Sequence, residues 1–401
     1  MDVIIIGAGA SGLMAAINVK EGNNVIVLER YGNSAKKILV TGNGRCNYWN
    51  ENFSNKCFHS SNSSFIEQVN TETNRASVLN KFEQIGIVPT IKNGYYYPMS
   101  MQASTIRNAL LDEANKRNIK IYNDINVIKV NKNNDRFEVI TSDKVFSCDK
   151  LIIATGSNSY YKDETSGYDI CKNLGHNIVT VLPSLVQLVG EDNYFKDWDG
   201  VRKDATVSIF VDNNKLKEET GEVMLTNYGL SGICIFNLSG IATRALNNNL
   251  NVEIGINFLP FLNSSNVYDY FEERNKIFDA NIDKFLESLM NYKLVYVILS
   301  KSNVDKNKKW SLLSEEEKKS LCNHIIDFRV KIISSKSFSD SQVSSGGVDT
   351  KEIDSLTMES KLVKGLYVVG ELLDVDGDCG GYNLGFAWLS GMIAGRSVDN
   401  D

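Results

Sequence analysis

The chain opens on an uninterrupted apolar run, Val3-Ile4-Ile5-Ile6, that stops at glycine. A short run of this kind predicts a strand buried on both faces. Leu13, Ala15, Ala16 and Val19 then recur at helical spacing, and Asn24-Val25-Ile26-Val27-Leu28 returns to a buried strand. Strand, glycine turn, helix and strand make a βαβ unit. Two later runs repeat the opening: Leu151-Ile152-Ile153-Ala154, closing in Thr155-Gly156, and Leu366-Tyr367-Val368-Val369, closing in Gly370-Glu371. Each predicts another buried strand, and the second is followed by a helix carrying Phe386, Ala387, Leu389, Met392 and Ile393.

Between these runs the period changes several times. Helices are predicted over 60–85, with Phe65, Ile66, Val69, Val78, Leu79, Phe82 and Ile85 inward, and over 104–117, with Ile106, Leu110, Leu111 and Ala114 inward. Gly94 turns the chain into Tyr95-Tyr96-Tyr97-Pro98, 119–122 reads as a strand, and 126–148 as a meander. Thr165 and Gly167-Tyr168 precede a short helix ending near Gly175, and Pro183 to Val186 reads as a boundary. Beyond it, 205–211, 221–225, Cys234-Ile-Phe236 and 251–256 read as short strands of a small sheet or barrel. From 264 to 333 the period is helical. Ser264 and Ser265 are cap candidates, Asn281 is another, and Ser314-Glu-Glu-Glu317 is a capping box.

The 401 residues suffice for two or three domains. A net charge of −6 argues against broad nonspecific nucleic-acid binding but leaves room for a local basic patch. The seven cysteines are scattered, with no C-x-x-C, so neither a disulfide framework nor a zinc site is indicated, and a reducing cytoplasm fits. A strand starting at residue 2 leaves no room for a signal peptide, and the apolar run at 294–299 is too short to span a bilayer. His59, His176 and His324 are isolated in sequence and read as structural or surface residues.

Chemistry enters at the glycine turn. In Gly7-Ala8-Gly9-Ala10-Ser11-Gly12, Gly7 permits a tight turn, Gly9 lets backbone approach a pyrophosphate, and Gly12 lets helix and strand pack closely. The helix N-terminus offers N–H groups to phosphate, and Glu29, followed by Arg30, ends the second strand where a ribose would lie. This constellation predicts binding of the ADP half of a dinucleotide and does not choose between FAD and NAD. In 33–47, the stretch Lys37-Ile-Leu-Val-Thr41-Gly42-Asn43-Gly44-Arg45-Cys46-Asn47 suits a backbone wrapped around an anionic or planar ligand, with a solvated lysine loop as the plainer reading.

Asp378-Cys379-Gly380-Gly381-Tyr382-Asn383-Leu384 repeats the physics of a glycine loop opening a helix. Such an N-terminus would stabilise the negative N1–C2=O edge of a reduced flavin, and Glu371 would bond the ribityl chain. The acids Glu371, Asp374, Asp376 and Asp378 admit a hard metal site as the lesser alternative. Four lysines, Lys301, Lys306, Lys308 and Lys309, stand against one aspartate between two helices, either as a solvated loop or as a contact for RNA.

Together, Gly7–Gly12, Lys37–Asn47 and Gly370–Asn383 resemble the BaiN/YhiN-type flavoproteins, also labelled the aminoacetone oxidase family or NAD(P)/FAD-dependent oxidoreductases. Thr226-Asn-Tyr-Gly229-Leu-Ser-Gly232 and Met358-Glu-Ser-Lys361 extend the resemblance. It implies an α/β fold: a Rossmann-like FAD domain from 1–186 and 341–401, an inserted β subdomain from 187–262 and 328–340, and a helical subdomain from 263–327. It places the pyrophosphate on Gly7–Gly12, the ribose on Glu29 and the flavin ring between Thr41–Asn47 and Gly380–Leu384, with Val127 backbone near adenine. Thr155-Gly156 lets the chain cross near the cofactor, and Ser157 stands where family members often carry a second glycine. With one dinucleotide fingerprint, NAD(P)H would be a transient electron donor.

The resemblance implies a reductase that moves a hydride from reduced flavin N5 to an activated C=C bond. The favoured substrate is a uracil of large-subunit ribosomal RNA, giving dihydrouridine, ahead of a 3-oxo-Δ4 bile-acid or steroid enone. Cys46, Tyr96, Tyr97 and Cys379 are the candidate proton donors. The alternatives are an amine oxidase taking aminoacetone with O₂, and a nonenzymatic flavin-bearing RNA-binding factor. The oligomeric state is not legible.

Overall fold

In the computed structural model the described residues are 1–159 and 167–399, so Thr165 lies outside them. The chain divides into two compact units, Met1–Leu182 with Val343–Asp401, and Pro183–Gln342.

The first unit is built on five parallel strands. β1 (Asp2–Ile6) lies between β2 (Asn24–Leu28) and β4 (Lys150–Ile153); β3 (Lys120–Tyr122) adds beyond β2, and β5 (Leu366–Val368) beyond β4. Ile4 pairs with Leu151, and Leu151 with Leu366, so the three apolar runs lie side by side from the middle of the sheet to one edge. β1 and β4 are buried along nearly their whole length because helices cover the sheet, which is why they read as continuous apolar runs. Helix α1 (Ala10–Ala16) follows β1, and helix α2 (Tyr382–Ser397) closes the chain.

α2 is buried nearly all round, so its polar stripe is missing. It packs on α1 through glycine. A Cβ on Gly391 would lie 2.3 Å from Ser11 O, and one on Gly395 would lie 2.3 Å from Ala15 O. The meander (127–133, 136–141, 145–148) and a hairpin (Pro89–Lys92 with Tyr95–Pro98) add further strands to the unit. His176 is buried, its Nδ1 3.0 Å from Glu352 Oε2 and its Nε2 2.9 Å from Ser360 Oγ, which ties the helix Gly167–Asn173 to the Met358–Lys361 signature.

The second unit holds a closed six-stranded barrel: Leu188–Gly190, Gly229–Ser231, Asn214–Thr226, Arg202–Val211, Val252–Asn257 and Phe328–Ser335 in spatial order. The Thr226–Gly232 signature is its tightest corner. Gly229 has φ 149° with Leu188 O 2.3 Å from where a Cβ would sit, and Gly232 has φ 112° against Glu222 O. One expectation fails here. Cys234-Ile-Phe236 is not a strand but the start of a helix, Ile233–Asn247. Its buried residues Cys234, Ile235, Leu238, Ser239, Ala242 and Thr243 follow a helical stripe, which a three-residue apolar window cannot distinguish from a strand.

Helices Val267–Ile277, Ile282–Glu287, Tyr292–Ser302 and Glu315–Ile326 fill the 264–333 region. The Ser314–Glu317 capping box is present. The other cap expectations differ: the first helix starts after Asn266, not at Ser264 or Ser265, and Asn281 occupies its cap position without a side-chain bond. The lysine loop is largely neutralised. Lys301 meets Asp192 at 3.3 Å, Lys308 meets Glu317 at 2.7 Å, and Lys309 meets Asp279 at 2.7 Å. Beneath it, the fully buried Trp310 donates to Glu272 Oε1 at 3.0 Å, and Lys318 donates to the same oxygen at 2.7 Å.

Two outcomes follow. Gly395→Val forces the helices apart and lowers unfolding stability by about 2 kcal/mol or more; an unchanged urea midpoint would contradict the close approach. The hydrogen bond from Lys318 holds the Glu272 carboxyl below its ordinary 4.5, so its stabilising contribution is present above that pH and fades as pH falls through the lowered value. Glu272→Gln therefore flattens the acid limb of a stability–pH curve, measured by urea unfolding.

Candidate functional site

The site is assembled from loops at the ends of β1, β2, β4 and β5. Gly7 has φ 106°, its N–H bonds Leu28 O at 2.8 Å, and a Cβ would stand 2.4 Å from Ala154 O. At Gly12 a Cβ would stand 1.9 Å from Gly7 O. Both positions require glycine for packing. Gly9, at the N-cap of α1, differs: nothing lies within 4 Å of its missing Cβ, and no side chain caps the helix. The absent side chain there leaves open surface over the first turn. Ser11, by contrast, is buried, and its Oγ lies 2.5 Å from where a Gly370 Cβ would be. Ala10 opens α1 half-buried.

Glu29 is 8% exposed and held rigidly: Oε2 accepts from Ala8 N at 2.8 Å and Oε1 from Tyr31 N at 3.0 Å. Arg30 folds over the Tyr31 ring, 4.6 Å from its centroid. Val127 is buried in the meander and pairs with Thr141. Gly156 has φ 72° with nothing near its missing Cβ, and Thr155 packs against Gly167.

The second motif is a 3₁₀ coil, Lys36–Gly44, broken at Thr41. Gly42 and Asn43 take left-handed φ of 55° and 54°, followed by Gly44 at 78°. Gly42 to Arg45 are exposed, whereas Cys46 is fully buried, and burial pushes its thiol up to about 12. That placement packs Cys46 beneath the loop. Thr41 Oγ1 donates to Ile38 O at 2.6 Å. Asn47 donates to Trp49 O at 2.8 Å and Tyr96 O at 3.2 Å. The Tyr96 ring packs edge-on to Tyr48, and Tyr97 lies 3.7 Å from where a Gly42 Cβ would be.

Glu371 is the hub. Its Oε2 takes Lys37 Nζ at 2.7 Å, and its Oε1 takes Ser157 Oγ at 2.7 Å, Ser159 Oγ at 2.8 Å and Ser344 N at 3.0 Å. Lys37 also donates to Ser159 Oγ at 2.7 Å. One carboxylate thus ties four stretches far apart in sequence. Ser157, the departure from the family's glycine, is one of its donors.

At the C-terminal return, Gly380 (φ 128°) and Gly381 (φ 91°) lead into α2, whose N-cap carries no side-chain bond. The second motif closes on them. Asn50 Nδ2 donates to Gly380 O at 2.8 Å, and a Cβ on Gly381 would stand 2.8 Å from Trp49 O. Tyr382 and Asn383 use their side chains for support: Tyr382 Oη donates to Asn52 O at 3.1 Å, and the Asn383 amide pairs with both N and O of Gly377. Leu384 lies in the first turn and Cys379 is half-buried.

The acids diverge. Asp374 accepts from Ser61 N and Oγ, Asp378 faces His59 Nε2 at 3.0 Å, and Glu371 faces Lys37. Among the described residues no three His, Cys, Asp or Glu side chains converge as a metal site requires. His59 is the residue that its isolation in sequence conceals. The strand Phe58–His59 pairs antiparallel with Asp376–Gly377, which carries it to the third motif. No local pattern encodes that pairing.

The sequence profile of the HI0933-like protein Rossmann domain matches residues 1–397. The chain is 34% identical over 400 residues to the 3-dehydro-bile acid delta(4,6)-reductase of Clostridium scindens, covering 98% of each chain. It is 27% identical over 401 residues to the ribosomal RNA dihydrouridine synthase of Escherichia coli, covering 99% of this chain and 98% of the relative. Among solved structures it is similar to a 3-ketosteroid-delta4-(5alpha)-dehydrogenase from Rhodococcus jostii RHA1, with TM-score 0.49 and 12% identity over all of this chain and 97% of the other. No helix among the described residues is long and apolar enough to cross a membrane. With a profile match over nearly its whole length, the chain belongs to the HI0933-like Rossmann family.

Proposed function

We propose that the first unit binds FAD and that the protein is a flavin-dependent reductase of an activated C=C bond. One observation carries the cofactor reading: the Gly9 surface is open where a pyrophosphate would lie, and Glu29 is locked beside it. The residues fit the group. Gly9 and the first turn of α1 would hold the pyrophosphate, Glu29 the ribose, and the loop Thr41–Asn47 with Gly380–Leu384 the ring. Lys37 neutralises Glu371 and keeps the loops in register, and the uncapped N-terminus of α2 favours negative charge on whatever it faces. When bound and reduced, FAD supplies a hydride at N5.

The substrate reading rests on the full-length likeness to a bile-acid reductase, so a 3-oxo-Δ4 enone of the bile-acid or steroid class is placed first. The rRNA-uracil reading is second, supported by the dihydrouridine synthase likeness. Its proposed contact through Lys301, Lys308 and Lys309 is weakened by their ion pairs, which leave Lys306 as the lysine of that loop without a salt bridge among the described residues. NAD(P)H as transient donor and a cytoplasmic location complete the proposal; the seven free thiols suit a reducing compartment.

The test is an absorbance spectrum after FAD reconstitution, anaerobic titration with NADH and NADPH, and stopped-flow reoxidation. A 3-oxo-Δ4 steroid should reoxidise the flavin faster than air does, with an rRNA fragment as the second arm. A protein that takes up no FAD, or whose flavin only aminoacetone reduces and only O₂ reoxidises, refutes the proposal. A second outcome isolates Gly9. Gly9→Ala lowers apo-protein stability by about 1 kcal/mol or less, the cost of a poorer cap with no clash at its Cβ, yet weakens FAD binding roughly tenfold or more, read by fluorescence titration.

A further inference from the structure

Reduction of a C=C bond needs a proton as well as a hydride, and of the candidates read from sequence Cys46 is sealed under its loop. The pairing of Phe58–His59 with Asp376–Gly377 sets Gly377 opposite Phe58 and Asp376 opposite His59. Side chains alternate across such a pair. Phe58 turns to the aromatic side, edge-on to Tyr382 at 5.8 Å between centroids, which leaves His59 on the other face with Asp376 and Asp378. His59 Nε2 is fixed 3.0 Å from Asp378 Oδ1, the side chains are 25% and 14% exposed, and Nδ1 bonds no described residue. Asp378 stands two residues before Gly380, so this pair borders the uncapped N-terminus of α2.

Resting on the reductase reading, we propose that His59 is the proton donor of the reaction and that Asp378 is its positioning residue. The Asp378 carboxylate holds the ring by Nε2–H, so proton traffic passes through Nδ1. A bound, reduced FAD would supply the hydride, and both its electrons, for the new C–H bond at the β carbon, and the π pair would move to the α carbon. There the Nδ1–H bond of the His59 imidazolium would break and its proton complete the second C–H bond. His59 would regain its proton from water.

The FAD-loaded protein is tested with diethyl pyrocarbonate and peptide mass mapping, which is legible because the chain has three histidines and the His176 side chain is fully buried. His59 should be carbethoxylated, and a saturated 3-oxo steroid should protect it. In stopped flow, His59→Gln should keep FAD affinity and dithionite reduction unchanged while slowing reoxidation by the enone roughly 100-fold or more. Asp378→Asn should slow the same step by less, and added imidazole should restore part of the rate in His59→Ala. An active parent beside a His59→Gln protein reoxidised within about threefold of it overturns the assignment alone. So does labelling of His59 that the steroid leaves untouched. A parent whose bound flavin neither enone nor uracil reoxidises overturns the reductase reading and this assignment with it.

Discussion

Two helices from opposite ends of the chain touch backbone to backbone, and the site exists because they do. Ser11 and Ala15 of α1 lie against Gly391 and Gly395 of α2 at distances no side chain tolerates. Gly370, at the end of β5, has Ser11 Oγ where its Cβ would stand. These contacts set α1 and α2 side by side at the ends of β1 and β5, so that two helix N-termini free of side-chain caps belong to one unit. Each terminus alone presents a few N–H groups and a partial charge. The sequence puts glycine at the contacts and glycine at the caps, and these differ: Gly12, Gly391 and Gly395 make room for protein, whereas Gly9 leaves open surface.

Glu371 does electrostatically what the glycines do sterically. A partly buried carboxylate is stable only when its lone pairs are used. Here they take a lysine, two serine hydroxyls and a backbone N–H from stretches that share no local structure. Removing any one donor leaves the others to hold the carboxylate, whereas removing the carboxylate leaves Lys37 with Ser159 Oγ as its remaining hydrogen-bond partner among the described residues. The expectation that Glu371 bonds a ribityl chain asks a fifth partner of the same group. Two oxygens offer about four favoured directions, and Oε1 already accepts three bonds. Its Oε2 side, next to Lys37, is where such a partner would join.

The parallel sheet was legible in sequence because β1, β4 and β5 are apolar runs that lead into glycine, a pattern that burial on both faces enforces. The helix Ile233–Asn247 was not. It is apolar enough to be mistaken for strand over three residues, and its period shows only over its whole length. Caps followed the same division. Ser314 and Glu317 specify their box reciprocally and were readable, whereas Asn266 displaced the serines because Asn263 Oδ1 takes both Ser265 N and Oγ in a local turn. In the site, glycines and Glu29 were readable from chain order alone. The Lys37, Ser157 and Ser159 partners of Glu371 and the meeting of His59 with Asp378 were not, since they depend on pairings between segments more than two hundred residues apart.

The lysine loop shows why composition misleads about partners. Four cations against one anion look like a basic patch, but the balance is struck in space. Asp192, Asp279 and Glu317 come from neighbouring elements and neutralise three of the four. Exposed pairs of this kind contribute little to stability. They do lower the local positive potential that a polyanion would meet, and that potential governs its approach. An RNA substrate would therefore need another surface of the protein to supply the cations, whereas a neutral or singly charged enone asks for none.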